Sequence, residues 1–511
     1  MVEIVGGLIR ACQGFAAAAA TLMVGLLIAA LFRYYLGPAN TKRLFGGESL
    51  RSLPQSWLLG MLLPVCSIGV IPILRELKRI GVRPGALTAF ALSAPLFNPL
   101  SLLYGLTLSR PVVVIAFALL SLLVVTILGL VWDRVARRPK TGSEEESELK
   151  GEGVIGIGRL WAVALMIGRE LIGPSGAYAV VATLGLFLLG SVLPHGALQA
   201  SVEQNDPWAP ASMAAVAIPV YATPMLTISQ LGMMFQHANA PGAALALLLL
   251  GTGVNVATLV WMTKNFGWRA TSIWFVALVG LVLGCSYAVN RPLIPVGVEP
   301  AGHTHAFDVY TNPLIASADL GWRDFWSAFT RGIGLSEVVG LIGLGVIGLF
   351  GLIVRFWRLE VPVAEPVAQV ATRHRYDVIV PAPVLGGVLI VGLIALSIVS
   401  SFAYYPEASE ALEEIRVARV EALTAATSGN IDHAKQWIEV WDQWSRRLEV
   451  GVFLRTGEVR PYQRMQGYLL RKKLEMLEHE LEHDPFEPEE VRSVVQQLLR
   501  MQGRYIRAFR E

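Results

Sequence analysis

A thiol, a hydroxyl and two prolines share one short apolar stretch, Pro64-Val65-Cys66-Ser67-Ile68-Gly69-Val70-Ile71-Pro72. Cys66 and Ser67 are the side chains there able to touch a solute. Pro64 and Pro72 each remove an amide donor and interrupt a helix, which frees carbonyls and half-helix ends for coordination. Gly69 permits close backbone approach. The alternative for Cys66 is a small buried hydrophobe, the usual state of a free cysteine. Pro84-Gly85-Ala86 and Ala94-Pro95-Leu96-Phe97-Asn98-Pro99 follow.

A second segment repeats this plan. It reads Pro219-Val220-Tyr221-Ala222-Thr223-Pro224-Met225, then Pro241-Gly242-Ala243 and Gly251-Thr252-Gly253-Val254-Asn255. With a short insertion, Pro64 falls on Pro219, Gly85 on Gly242 and Asn98 on Asn255. Paired Gly/Pro-interrupted apolar segments in two halves of a chain mark the substrate site of a transporter. The candidate substrate path is therefore Pro64, Cys66, Ser67, Gly69, Pro72, Pro95, Asn98, Tyr221, Thr223, Pro224, Thr252 and Asn255. An amide deep in an apolar span is costly without a partner, so Asn98 and Asn255 serve either the path or helix pairing.

The composition places these residues in a bilayer. Of 511 residues 54% are hydrophobic and 16% charged, and the mean hydropathy is +0.54. Apolar runs long enough to cross occur near 12–32, 86–107, 111–132, 174–193, 243–263, 271–289, 332–354 and 380–402. Two more, 56–74 and 211–231, are the Pro-broken pair. Small residues at 16–20 resemble a signal-peptide cleavage site, but the run continues to Phe32 and Arg33, so a retained span is expected.

Loop charges set the topology. Arg33, Lys42, Arg43 and Arg51 precede the first broken segment and Arg75, Lys78, Arg79 and Arg83 follow it, so both flanks are cytoplasmic and the segment is re-entrant. The flanks of the second, 194–210 and 232–241, carry no Lys or Arg and lie outside. Each repeat then has three crossings and one re-entrant element, and the odd number inverts the second copy. The expected fold is an all-α polytopic membrane protein with two inverted repeats, two additional transmembrane helices and a C-terminal helical bundle. Ten plain spans with parallel repeats and a cytoplasmic tail are the alternative.

The expected division is membrane repeat 1 over 1–139, a cytoplasmic linker and interfacial helix over 140–172, and membrane repeat 2 over 173–290. An extracytoplasmic loop spans 291–330, two further transmembrane helices 331–404 and a soluble bundle 405–511. Helical periodicity in the tail predicts helices over 407–427, 431–455, 461–483 and 487–509. The tail and the N-terminus are expected outside.

The first repeat resembles the predicted-permease family that includes the organoarsenical efflux permeases. The resemblance rests on the 64–72 motif, Gly85, Ala89-Phe90, Ala94-Pro95 and Asn98-Pro99, and covers about 10–290. Members commonly carry two cysteines around the motif's Ser, whereas Ile68 fills the second position here. A trivalent arsenical prefers two soft thiolates, and Cys66 is the one local thiol. The resemblance thus implies a permease and weakens the arsenical assignment.

Other signals are weaker. Cys12, Cys66 and Cys285 lie in apolar runs and form no disulfide framework. No GxxxxGK[ST] loop is present, which excludes that route to ATP hydrolysis. His303, His305 and Asp308 are weak metal candidates on an outside loop. His479-Glu480-Leu481-Glu482-His483 matches HExxH but sits on a highly charged helix face ended by Asp484-Pro485, against a peptidase. Ionisable residues are nearly absent from the repeat cores, so no proton relay is expected, and Glu337 reads as an interfacial carboxylate. No catalytic residue or cofactor is expected. The partners are the lipid bilayer, a small-molecule or metalloid substrate and a protein partner for the C-terminal bundle, with no nucleic acid. The leading function is a secondary permease of the bacterial-type inner membrane exporting its solute by alternating access. The alternative is a membrane-anchored sensor or scaffold whose tail binds a partner.

Overall fold

The computed structural model describes residues 2–97, 99–136, 158–294, 304–314, 322–330, 333–360, 382–482 and 487–510. The chain is an all-α polytopic membrane protein. It divides into two compact units, Met1–Pro99 with Ile115–Ile394, and Leu100–Val114 with Ala395–Glu511.

In the first unit, α1 (Val2–Leu31) continues through a π-helical turn, Phe32–Leu36, into α2 (Gly37–Leu44). The first Pro-broken segment becomes two short helices, α3 (Ser52–Leu62) and α4 (Val70–Ile80). Leu63 adopts an extended conformation, φ −94° and ψ 129°, as expected of a residue before proline. Pro72 corrects the sequence reading. It occupies the first turn of α4, where amides lack intrahelical partners anyway, so it breaks nothing. Next come α5 (Pro84–Ser93), α6 (Pro99–Leu108), which lies almost wholly in the second unit, α7 (Pro111–Val135) and α8 (Gly158–Ile172).

The second copy begins with α9 (Pro174–Val192), followed by α10 (Ala209–Ala217) and α11 (Pro224–Gln236) as the broken pair. After them, α12 (Pro241–Ala246) runs into a π-helical segment, Leu247–Thr252, then α13 (Val256–Phe266) and α14 (Trp268–Asn290). Runs 86–107 and 243–263 are thus not plain spans. The second bends by 56° at Gly253–Asn255, and the first is interrupted around Pro95. All residues of α5 and of α12 are buried, as suits helices apolar on every side.

Polar contacts fix the direction of each element. Arg83, at the start of α5, donates to the carbonyls of Glu48 and Ser49 just before α3. Arg83 also pairs with Asp133 at the end of α7. Lys78, near the end of α4, donates to Asn265 at the end of α13. The α3–α4 hairpin therefore enters and leaves on one basic face. On the opposite face the Ala240 amide donates to the Val202 carbonyl, the Gly242 amide to Asn290 and the Tyr287 hydroxyl to the Pro207 carbonyl. The α10–α11 hairpin enters and leaves there. The second copy is inverted.

A short 3-10 helix, His305–Tyr310, precedes α15 (Trp322–Thr330), α16 (Leu335–Phe356) and α17 (Ala382–Tyr404). Gly340 of α16 lies against Ala19 and Ala20 of α1, and Gly351 against Gly168 of α8. Small residues of this kind let membrane helices approach closely. Glu337 caps α16 by accepting from the Gly334 amide. The second unit holds α18 (Ala408–Ser428), α19 (Ile431–Thr456), α20 (Pro461–Glu482) and α21 (Pro488–Arg510) around a shared apolar core that includes Trp441, Leu448, Leu477 and Tyr505. The linker acidic run Glu144–Glu146, with the rest of 140–153, lies outside the described residues.

Candidate functional site

The interruptions bring polar atoms to the middle of the first unit. Gly69, in the α3–α4 break, sits so close to α1 that a Cβ there would strike the Thr21 carbonyl, and Gly25 of α1 abuts the Gly69 carbonyl in return. The inverted copy repeats the contact: Gly185 of α9 abuts the Pro219 carbonyl of the α10–α11 break. The first helix of each repeat is thus seated on its own repeat's broken hairpin.

The two broken hairpins meet through Cys66 and Tyr221. Cys66 is fully buried. Its Sγ lies 2.8 Å from the Thr21 hydroxyl and accepts from the Gly69 amide at 3.3 Å. The Tyr221 phenol faces Cys66 and Thr21, 2% exposed, yet its hydroxyl satisfies hydrogen-bond geometry with no described residue. Next to it the Ala222 amide donates to the Gly251 carbonyl at 3.2 Å, tying this break to the π-helical end of α12.

Asn255 closes the arrangement as the N-cap of α13. Its Oδ1 accepts from the Thr258 amide at 2.8 Å and the Thr258 hydroxyl at 3.3 Å. The Nδ2 amine is buried without a partner among the described residues, as is the Ser67 hydroxyl. Gly253, beside this cap, faces Leu92 and Leu96 of the other repeat, so the α12–α13 break and the segment after α5 lie against one another. Buried polar atoms without partners are costly, and three of them, on Ser67, Tyr221 and Asn255, lie on these breaks.

Other sequence-predicted residues have structural duties. Thr223 caps α11 by accepting from the Leu226 amide, with Pro224 at the first helical position. The Thr252 hydroxyl donates to the Leu248 carbonyl inside the π-helical segment. Pro64 lies in the first break, Pro72 in the first turn of α4, and Pro95 is buried after α5. Asn98 lies outside the described residues.

Two features escaped sequence reasoning. Glu76, on α4, is 1% exposed and accepts from Arg33 at 2.8 Å and Arg79 at 2.9 Å. This carboxylate, which Arg33 reaches from the π-helical turn after α1, is an ionisable group that the sequence reading did not single out. The second is a matched pair of caps. Asp133 accepts from the Gly85 amide at 2.8 Å, and Asn290 accepts from the Gly242 amide at 2.9 Å. The register that puts Gly85 on Gly242 and Asn98 on Asn255 also puts Asp133 on Asn290, a signal present in the sequence.

The metal candidates form a polar knot. His305 Nδ1 lies 2.9 Å from Asp308 Oδ2, which also accepts from Gln199 at 3.0 Å. His303 lies outside the described residues, and no group of three or more His, Cys, Asp or Glu among the described residues could hold a metal ion. His479 lies on α20 while His483 is outside the described residues.

A family model of predicted permeases matches residues 15–291, more than half of the chain. The chain belongs to this permease family. The chain is also 30% identical over 81 residues to the UPF0718 protein YcgR of Bacillus subtilis, a stretch covering 16% of this chain and 28% of that relative. The match thus spans well under two thirds of the length of this relative. No solved structure matches the chain. Family and fold together make it a multi-pass membrane protein of this permease family. The matched region contains every candidate path residue, whereas α15 to α21 lie beyond it.

Proposed function

We propose that the chain is a secondary permease of the inner membrane that moves a small solute or metalloid outward by alternating access around its paired broken helices. The observation carrying this reading is the buried junction of Cys66, Thr21 and Tyr221, flanked by partnerless polar atoms of Ser67, Tyr221 and Asn255. Cys66, Ser67, Tyr221 and Asn255 contact the solute, with Asn98 as the counterpart of Asn255. Gly69, Pro64, Pro95, Pro224, the capping Thr223 and Thr252 of the π-helical segment shape the breaks. One thiol flanked by hydroxyls favours a soft but singly ligated solute over one that needs two thiolates. The basic face, with Arg33, Lys78, Arg79 and Arg83, is the cytoplasmic one, and the C-terminal bundle lies outside.

The test is survival of an efflux-deficient bacterial host expressing the chain or its Cys66→Ser variant, challenged with trivalent organoarsenicals and other soft metalloids. The expected outcome is protection against at least one compound that disappears with Cys66→Ser. Lack of protection by a well-expressed, membrane-inserted protein across the panel would sink the metalloid reading. Protection unchanged by Cys66→Ser would remove the thiol from the site.

A further inference from the structure

The second unit carries a cleft that the transport reading does not use. It has a volume of about 1030 Å³ and lies at one end of the four-helix bundle, between the start of α18, the end of α19, the start of α20 and the end of α21. Its first lining residue, Glu407, stands three positions after the end of α17. That helix is 23 residues long and carries no charged side chain, which suits a membrane span. The cleft is therefore lined by the first residues that follow this span.

Its lining is amphipathic. Arg416, Arg419, Arg460 and Arg510 supply guanidinium groups, while Leu412, Val452, Ile506 and Phe509 supply apolar surface. Arg416 is paired with Glu413 at 2.6 Å, and Arg455 donates to the Tyr405, Pro406 and Gly451 carbonyls. Arg419 makes no ion pair or hydrogen bond to a described residue, and burial together with the neighbouring Arg416 charge pushes its pKa below the ordinary arginine value. Gln502 is 8% exposed, lines the same cleft and makes no side-chain hydrogen bond to a described residue. A buried amide and a crowded cation are both relieved by an acceptor-rich anion. Glu407, Glu410 and Glu458 on the lining add room for an ammonium or hydroxyl beside that anion.

We propose that this cleft binds the phosphate-bearing headgroup of a membrane phospholipid. Guanidinium forks match phosphate oxygens in bidentate fashion, Gln502 donates from below, and the apolar wall receives the glycerol and the first acyl carbons. The lining accounts for the choice of a lipid over free phosphate, since a bare ion would leave the apolar wall uncovered. The proposal stands apart from the transport reading and neither requires nor supports it.

The experiment is native mass spectrometry of the full chain released from detergent. The probes are dioleoylphosphatidylglycerol, dioleoylphosphatidylethanolamine, dioleoylglycerol with the same acyl chains but no phosphate, and inorganic phosphate as competitor. Each is compared for the natural chain, Arg419→Ala, Gln502→Leu and the conservative Arg419→Lys. The expected result is retention of one or both phospholipids over dioleoylglycerol, reduced about tenfold by Arg419→Ala, as for the loss of one charge-assisted contact, and partly restored in Arg419→Lys. Displacement by inorganic phosphate would assign the site to the free ion and overturn the lipid assignment. Equal retention of dioleoylglycerol, or retention untouched by all three variants, would overturn the site. Arg419 is half-buried on α18, and far-ultraviolet circular dichroism of each variant checks that the bundle is preserved.

Discussion

At the residue scale the site turns on polar atoms that the fold leaves without partners. Asn255 has two jobs, since its carbonyl oxygen caps α13 while its amine is buried and unbonded. Serine is as good an N-cap as asparagine, so Asn255→Ser keeps the cap and removes the amine. We expect its melting temperature in detergent to stay close to that of the natural chain while efflux falls to background. Full efflux by Asn255→Ser would mean that the amine is not used. Tyr221→Phe is the complementary test: it deletes a buried hydroxyl with no partner, so stability should hold or rise by about 1 kcal/mol, the usual cost of such a group, and efflux should drop. A rise in stability with unchanged efflux would make the hydroxyl a passive defect. Asn255 and Tyr221 were legible in the sequence because polar groups stand out in apolar runs, while Asn98 lies outside the described residues. Glu76 was not, because its basic neighbours made the end of α4 read as a solvated flank, and Arg33 reaches it from a distant helix.

At the element scale the chain is governed by where helices are forbidden to continue. Prolines announced the breaks at 63–69 and 218–223, and the extended conformation of Leu63 before Pro64 is the local reason. The break at Gly253–Asn255 contains no proline; it arises from a π-helical turn and an asparagine cap, which hydropathy does not register, so 243–263 looked continuous. The tail helices, by contrast, were readable to within a few residues, because amphipathic periodicity and the stops at Gly429, Gly457 and Pro485 are strong local signals. The seating of α1 and α9 on the breaks depends on glycine. Gly25→Ala and Gly185→Ala should each cost about 1–3 kcal/mol, as over-packing does, read as a lowered thermal midpoint. Gly280→Ala is the control, since a Cβ there meets nothing within 4 Å, and should be neutral or slightly stabilising. Equal midpoints for all three variants would mean that neither close contact is rigid.

For the whole molecule, inversion of the repeats is the property on which the proposed alternating access rests. Two copies of one broken-hairpin unit, entering from opposite faces, make a site that is pseudo-symmetric with respect to the two sides of the membrane. The matched caps Asp133 on Gly85 and Asn290 on Gly242 hold the start of α5 and of α12 on those opposite faces, and the charged cap sits on the basic one. Inversion makes a prediction that parallel repeats do not. In a background with Cys12, Cys66 and Cys285 replaced by Ala, single substitutions Ser49→Cys, Lys264→Cys and Asn205→Cys place thiols at exposed positions beside α3, the end of α13 and the start of α10. Ser49 and Lys264 belong to different repeats yet lie on the basic face, while Asn205 lies on the other. A membrane-impermeant thiol reagent applied to intact cells should label Asn205→Cys and spare the other two until the membrane is permeabilised. Labelling of all three variants in intact cells, as ten plain spans with parallel repeats would give, would break the inverted arrangement, and with it the symmetry on which the proposed two-sided access to the junction of Cys66 and Tyr221 rests.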